Sequence, residues 1–246
     1  MLLILTMLML GVLLGFIGAG GSGFIIALLV TVFNIPIHSA IGTAVPVMFF
    51  TVLTGSLSHF RDGNINLKKG IMVGLFGGVG AYFGMRLTPF INPNVLMLFT
   101  VSALTLSGIL IWAKTKIVSE PNEQQEELGF LRYAAVGLGN GFISGTFGIG
   151  AAPFIQLSLL KWLHFPMRIA AGTTMLVILP IALFASIGSF QNGYFDMELF
   201  LQVALSTMIG SYIGAKLTKR LPQIFLRYGI VVTPIVSAIV LLINFL

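Results

Sequence analysis

Glycines 18, 20, 21 and 23 form one dense run with Ser22 among them, and glycines 145, 148 and 150 form a second with Thr146. Both runs sit inside long apolar stretches. Glycine is costly within a helix and useful where the backbone must turn or approach a ligand closely. A helix that restarts after such a break leaves its first N–H groups without intrahelical partners. That terminus carries about half a positive charge and attracts anions. The chemistry these residues suit is capture of a small anion by backbone dipoles, without a charged side chain. Ser22, Thr43, Thr146, Thr173 and Thr174 are the hydroxyls that would supplement it, with Asn140, Ser144 and Gln156 nearby in sequence. A Ser or Thr in an apolar helix more commonly bonds its own backbone. The symmetric glycine clusters and the Gly-Thr pairs at 42–43 and 172–173 are what stand out.

The elements that position these residues must cross lipid. Hydrophobic residues make up 57% of the chain and charged residues 8%, with a mean hydropathy of +1.04. A soluble domain carries about 25% charged residues. This is the composition of an all-α, polytopic membrane protein, without the alternating pattern of a membrane β-barrel. The chain has no cysteine, and its three histidines (His38, His59, His164) lack metal-ligand spacing, so no cofactor or metal is expected. The high isoelectric point, near 9.8, reflects basic residues in short loops. They are topology signals and anionic-lipid contacts, and nucleic acid is not an expected partner. Met1 to Ile17 lacks a basic n-region and is expected to stay as a membrane helix.

Six spans are plain, at 39–59, 70–88, 95–113, 170–190, 198–217 and 224–245, each near the 20 residues that cross about 30 Å. Two stretches, 2–33 and 131–163, are too long for one crossing, and the glycine clusters cut them. Each is either a broken helix that crosses or a hairpin that returns to its own side. With hairpins, Arg61, Lys68, Lys69, Lys114, Lys116, Arg132, Lys161, Arg168, Lys216, Lys219, Arg220 and Arg227 share one side and Arg86 alone takes the other. With crossing helices the basic residues divide almost evenly. The positive-inside rule favours the hairpins. The expectation is a first membrane repeat at 1–113, a cytoplasmic linker at 114–130, and a second, inverted repeat at 131–246.

The duplication is visible in the residues themselves. Gly80-Ala-Tyr82-Phe-Gly84-Met-Arg86-Leu-Thr88 returns as Gly210-Ser-Tyr212-Ile-Gly214-Ala-Lys216-Leu-Thr218, an offset of 130 that also pairs Pro36 with Pro166, Gly42-Thr43 with Gly172-Thr173, and Gly63 with Gly193. The glycine clusters align best at an offset of 127, pairing glycines 18, 21 and 23 with 145, 148 and 150. Glycines 74, 77, 78, 80, 84, 210 and 214 read as close helix packing. All seven acids fall in expected loops, which leaves no intramembrane carboxylate for cation transport or proton coupling. His59, near the inner end of a span, is the only titrating group close to the expected path.

The cluster Gly18-Ala-Gly-Gly-Ser-Gly23, followed by Pro36, Ala40-Ile-Gly42-Thr43 and Gly63, resembles the first half of the TauE/SafE sulfite exporter family. The cluster at 145–150, followed by Pro166 and Ala170-Ala-Gly-Thr-Thr174, is similar to its second half. The resemblance covers essentially the whole chain, although the family often carries a third consecutive glycine where Ser22 stands. It implies a multi-pass transporter in the inner membrane of a bacterium or archaeon, with sulfite, sulfoacetate or other organosulfonates as substrates. The expected partners are a small anionic substrate and membrane lipids, and a homo-oligomer is compatible with the chain. The expected function is export by alternating access, with an anion or small-solute channel as the alternative. Gly20-Gly-Ser-Gly23 also fits an intramembrane serine protease, but His59 is its only nearby base and the second repeat's glycine cluster lacks the matching serine. A membrane scaffold would need a soluble domain that the chain lacks. No enzymatic activity is expected.

Overall fold

The computed structural model describes residues 1–17, 21–61, 63–116, 130–218 and 223–243, and among them there is no strand. The helices are α1 (Leu2–Ile17), α2 (Ser22–Thr31), α3 (Ile37–Arg61), α4 (Leu67–Leu87), α5 (Pro93–Lys116), α6 (Phe130–Phe147), α7 (Ala152–Lys161), α8 (Met167–Asn192), α9 (Met197–Thr218) and α10 (Gln223–Ile243). The core of the expected linker, 117–129, lies outside the described residues, as do Asp62, Gly18 and Gly20.

The six expected spans are α3, α4, α5, α8, α9 and α10, and the two interrupted stretches are the pairs α1–α2 and α6–α7. Residues 67–90, 93–110 and 172–192 are each long and apolar enough to cross a membrane. Exposed Leu75, Val79 and Phe83 on α4 and Leu201, Leu205 and Ile209 on α9 recur at four-residue spacing. Such apolar outer stripes are the surface that lipid solvates. Glu198 sits in the first turn of α9 rather than in a loop. Asp196 caps that helix by accepting from the Leu199 N–H, as Asn66 caps α4 by accepting from the Lys69 N–H.

The duplication is a single register in three dimensions. Left-handed residues fall at Gly21 and Ala151, Asn34 and His164, and Gly63 and Gly193. Every pair is 130 apart, and α2 and α7 begin 130 apart as well. The 127 offset expected for the glycine clusters is therefore displaced by about one helical turn. Gly21 corresponds to Ala151, and Ser22 to Ala152. The number of glycines drew the alignment to 127, whereas the turn is set by a backbone conformation that Ala151 adopts without being glycine.

Two glycine seams hold the bundle. Along α4 and α6 the close contacts run Gly137 on Val73, Gly141 on Gly77, and Gly145 on Ala81, each backbone to backbone, so the two helices lie parallel. Between α1 and α9, Gly210 sits on Leu8 and Val12, and Gly80 sits on Leu138 and Phe142, the same arrangement moved by 130 in each helix. Without a β-carbon, backbones approach closely enough for dispersion to do what the hydrophobic effect does in water.

α3 and α8 occupy equivalent places in the two halves and run in opposite directions. Gly42, near the start of α3, lies against Ser189 and Tyr194 at the end of α8, and Gly172, near the start of α8, lies against Asn64 beyond the end of α3. The Ser189 hydroxyl donates to the Gly42 carbonyl (3.0 Å), and the Asn66 N–H donates to Thr173 Oγ1 (3.1 Å). α6 and α7 double back on each other. Asn140 Nδ2 donates to Ser158 Oγ at 3.1 Å, although 18 residues of straight helix would separate them by about 27 Å. The C-terminal end of α7 returns to the start of α6, where Lys161 and Trp162 share a cleft with Leu131 and Arg132.

Candidate functional site

The two breaks meet inside the bundle. Gly21 (φ 58) precedes α2, and Gly148 (φ 67), Gly150 (φ 72) and Ala151 (φ 43) precede α7. A β-carbon on Gly148 would lie 2.8 Å from Ile41 and 3.1 Å from Ile26, and one on Gly150 would lie 2.6 Å from Met48 Sδ and 3.2 Å from Ser22 Oγ. The start of α2, the turn before α7 and the middle of α3 therefore share one junction. Gly150 is needed there twice, for its left-handed backbone and for the space its missing side chain leaves.

The hydroxyls separate into two groups. Most of those on the helices donate to a carbonyl one turn back: Thr100 to Leu96, Thr105 to Val101, Thr146 to Phe142, Thr174 to Ala170, Ser186 to Ala182 and Thr207 to Val203. Ser22 Oγ and Thr43 Oγ1 do not. Both residues are 0% exposed, and neither oxygen has a hydrogen-bond partner among the described residues. A buried, unsatisfied polar group costs about 1–3 kcal/mol. Ser22 is the first residue of α2, where the Phe24 and Ile25 N–H groups donate to the Gly21 carbonyl and the Ser22 and Gly23 N–H groups have no carbonyl four residues back inside the helix.

The structure divides the expected site residues among several places. Ser22 and Gly150 share the junction, and Gly148 adjoins it. Thr43 lies on α3 between Ile41, which Gly148 meets, and Met48, which Gly150 meets. Gly21 turns the chain against Leu14, and Gly23 packs on Leu104. Gly145 is part of the α4–α6 seam, and the Thr146 carbonyl accepts from the Thr88 hydroxyl at 3.1 Å. Thr173 is occupied by Asn66, and Thr174 by its own helix. Glycines 74, 77, 78, 80, 84 and 210 all make close helix contacts. Met48, Ile41 and Ile26 border the junction without having been singled out, because nothing distinguishes an apolar residue at such a place from any other in a span.

The halves are unequal at this point. Where the first repeat offers a serine hydroxyl and the Gly23 N–H, the second has Ala152 and then Pro153, which has no N–H to give. His59, in the last turn of α3, has an enclosed Nδ1 with no hydrogen-bond partner among the described residues. It is 11 residues beyond Met48, or about 16 Å along the helix, too far to serve Ser22 as a base.

A family model described as "Sulfite exporter TauE/SafE" matches residues 3–241. This chain belongs to the TauE/SafE family. Among its relatives, the "Probable membrane transporter protein YdhB" of Bacillus subtilis is 46% identical over 244 residues, covering 98% of this chain and 100% of its own length. A "Probable membrane transporter protein" of Methanocaldococcus jannaschii is 26% identical over 244 residues, covering 92% of this chain and 89% of its own. A third relative with the same description, from Xylella fastidiosa, is 24% identical over 212 residues, covering 85% and 81%. The chain is thus a membrane transporter of TauE/SafE type and not an enzyme. Among the described residues, Ser22 at this junction and Thr43 beside it carry the buried hydroxyls that have no hydrogen-bond partner.

Proposed function

We propose that this chain exports a small sulfur-containing oxyanion, sulfite or an organosulfonate, across the inner membrane of a bacterium or archaeon, as a secondary transporter built of two inverted repeats. The observation that carries the reading is the buried, unpartnered Ser22 hydroxyl at the head of α2, set against Gly150 of the other repeat. An oxyanion there would accept hydrogen bonds from the hydroxyl and from the Ser22 and Gly23 N–H groups that open α2, with the helix dipole adding to both. Thr43 is a second donor on the adjoining helix. No buried carboxylate is present to repel the anion: the described acids, Asp196 and Glu198, lie at the start of α9.

The opposed directions of α3 and α8 support inverted repeats, and the Asn140–Ser158 contact supports a re-entrant second hairpin. Arg61, Lys68, Lys69, Arg132 and Lys161 all fall at the end where α3 and α7 finish and α4 and α6 begin, while Arg86 is at the other end beside Asn192. By the positive-inside rule the basic end is cytoplasmic. An inside-negative potential then drives an anion outward by about 2.3 kcal/mol per charge per 100 mV. Alternating access requires one part to move on the rest. α4 packs along α8 more extensively than α9 packs along α3, so the lighter α3–α9 contact is the natural joint.

The test is flux of labelled sulfite, sulfate, thiosulfate and sulfoacetate in liposomes at set voltages. The expected result is saturable sulfite or sulfonate flux that follows the potential and shows counterflow. Flux without saturation or counterflow would replace the transporter by a channel, and no anion flux would remove the proposal.

A further inference from the structure

We propose that the open end of the second hairpin binds the headgroup of an anionic phospholipid. α6 and α7 start and finish side by side, and their ends frame a cleft of about 460 Å³ lined by Leu131, Arg132, Ala135, Lys161, Trp162 and His164. That size lies within the roughly 300–1,000 Å³ usual for small-molecule sites. Arg132 and Lys161 bring permanent positive charge from two different helices, and His164 adds a ring nitrogen able to donate. Among the described residues no carboxylate is near: Asp196 and Glu198 belong to the start of α9, at the other end of the bundle. Lys69, by contrast, already lies over the Phe165 ring, 5.4 Å from its centroid.

The walls decide between a lipid and a free anion. Leu131 is 82% exposed and Trp162 is 60% exposed. An inorganic anion gains nothing from such surfaces. A phosphodiester that carries acyl chains uses the cations for its phosphate and the leucine and indole for its upper chains, with tryptophan at its favoured depth at the membrane interface.

The duplication isolates the feature. The equivalent cleft positions in the first repeat are Met1, Leu2, Leu5, Thr31, Val32 and Asn34, with no basic side chain. The turn itself is the same in both halves, with φ 53 at Asn34 and φ 52 at His164. With that turn geometry shared, only the copy at the cation-rich end carries basic side chains. Orientation alone does not require this, because the positive-inside rule counts charges near the membrane and does not ask them to converge across a hairpin. Anionic lipids are concentrated in the cytoplasmic leaflet, and basic pockets between helices on that side suit their headgroups. The inference rests on assigning this end to the cytoplasmic leaflet and is independent of which solute is moved.

Replacing Trp112 with Phe leaves Trp162 as the single tryptophan, since the chain has two. The full chain in nanodiscs would then be titrated with phosphatidylglycerol or phosphatidylcholine brominated on the acyl chains, reading quenching of Trp162. Each basic residue near a membrane surface is worth about fivefold in binding. Phosphatidylglycerol is therefore expected to bind about 25-fold more tightly than phosphatidylcholine. Arg132→Gln with Lys161→Gln should abolish the preference, and Arg61→Gln with Lys68→Gln should retain it. If the first pair fails to fold, each single variant should lose about fivefold. Equal quenching by both lipids, an unchanged preference without Arg132 and Lys161, or full competition by free glycerol phosphate at the lipid's own concentration would overturn the proposal. Anion flux measured on the same samples reports separately on the transport reading.

Discussion

Removing the Ser22 hydroxyl should move stability and affinity in opposite directions. Ser22 Oγ is enclosed and has no hydrogen-bond partner among the described residues, so it carries the cost of desolvation without a hydrogen bond in return, about 1–3 kcal/mol. Ser22→Ala deletes that oxygen and leaves a β-carbon already accommodated, so the empty protein should melt higher. A bound oxyanion changes the balance, because a hydrogen bond to a charged partner is worth about 1.5–3 kcal/mol. Its loss should weaken solute binding by about 10- to 150-fold. The assay is paired: thermal unfolding of the detergent-solubilised protein without solute, and the concentration dependence of sulfite flux in liposomes. The expected outcome is a higher melting temperature with a KM raised at least tenfold. If Ser22→Ala melts lower, the hydroxyl has a structural partner. If it leaves KM unchanged, Ser22 does not touch the solute. Either result refutes the reasoning.

Three further changes test neighbouring parts of the argument. Gly150→Ala places a methyl group 2.6 Å from Met48 Sδ and 3.2 Å from Ser22 Oγ in a left-handed backbone, and should abolish flux while protein is still recovered from the membrane. Gly141→Ala drives a methyl group into the Gly77 backbone, which cannot yield as a side chain can; the expected loss is of folded protein, seen on size exclusion, with an unaltered KM in whatever survives. Cysteines at Asn140 and Ser158, in a chain that otherwise has none, should form a disulfide on mild oxidation. A straight α6–α7 helix would hold them about 27 Å apart and give no cross-link.

Apolar periodicity and length made the helices legible in the sequence. Proline and glycine positions marked where each begins, and an offset of 130 tied α3 to α8 and α4 to α9. The charge asymmetry favoured hairpins over crossing helices from loop positions alone, because the rule needs nothing else. The junction was legible as a region and not as a set of atoms. Ser22, Thr43, Thr146 and Thr174 have similar chemistry in sequence, and what separates them is whether a carbonyl one turn back is within reach, which depends on local backbone geometry. Gly145 shows the converse: it belongs to a glycine cluster, yet it serves the α4–α6 seam because its register on α6 faces Ala81. The alignment of the two clusters erred by a turn for a related reason. Ala151 takes a left-handed conformation that residue type alone would assign to glycine, and only the surrounding packing holds it there.

Each glycine seam joins helices from different halves: α4 of the first to α6 of the second, and α9 of the second to α1 of the first. Neither half can finish its own interior. Residues 1–113 expressed alone would present two grooved faces to lipid, and so would 131–246. Covalent continuity holds complementary pieces at high local concentration, and fragments made separately as 1–113 and 131–246 would still carry both sides of each seam.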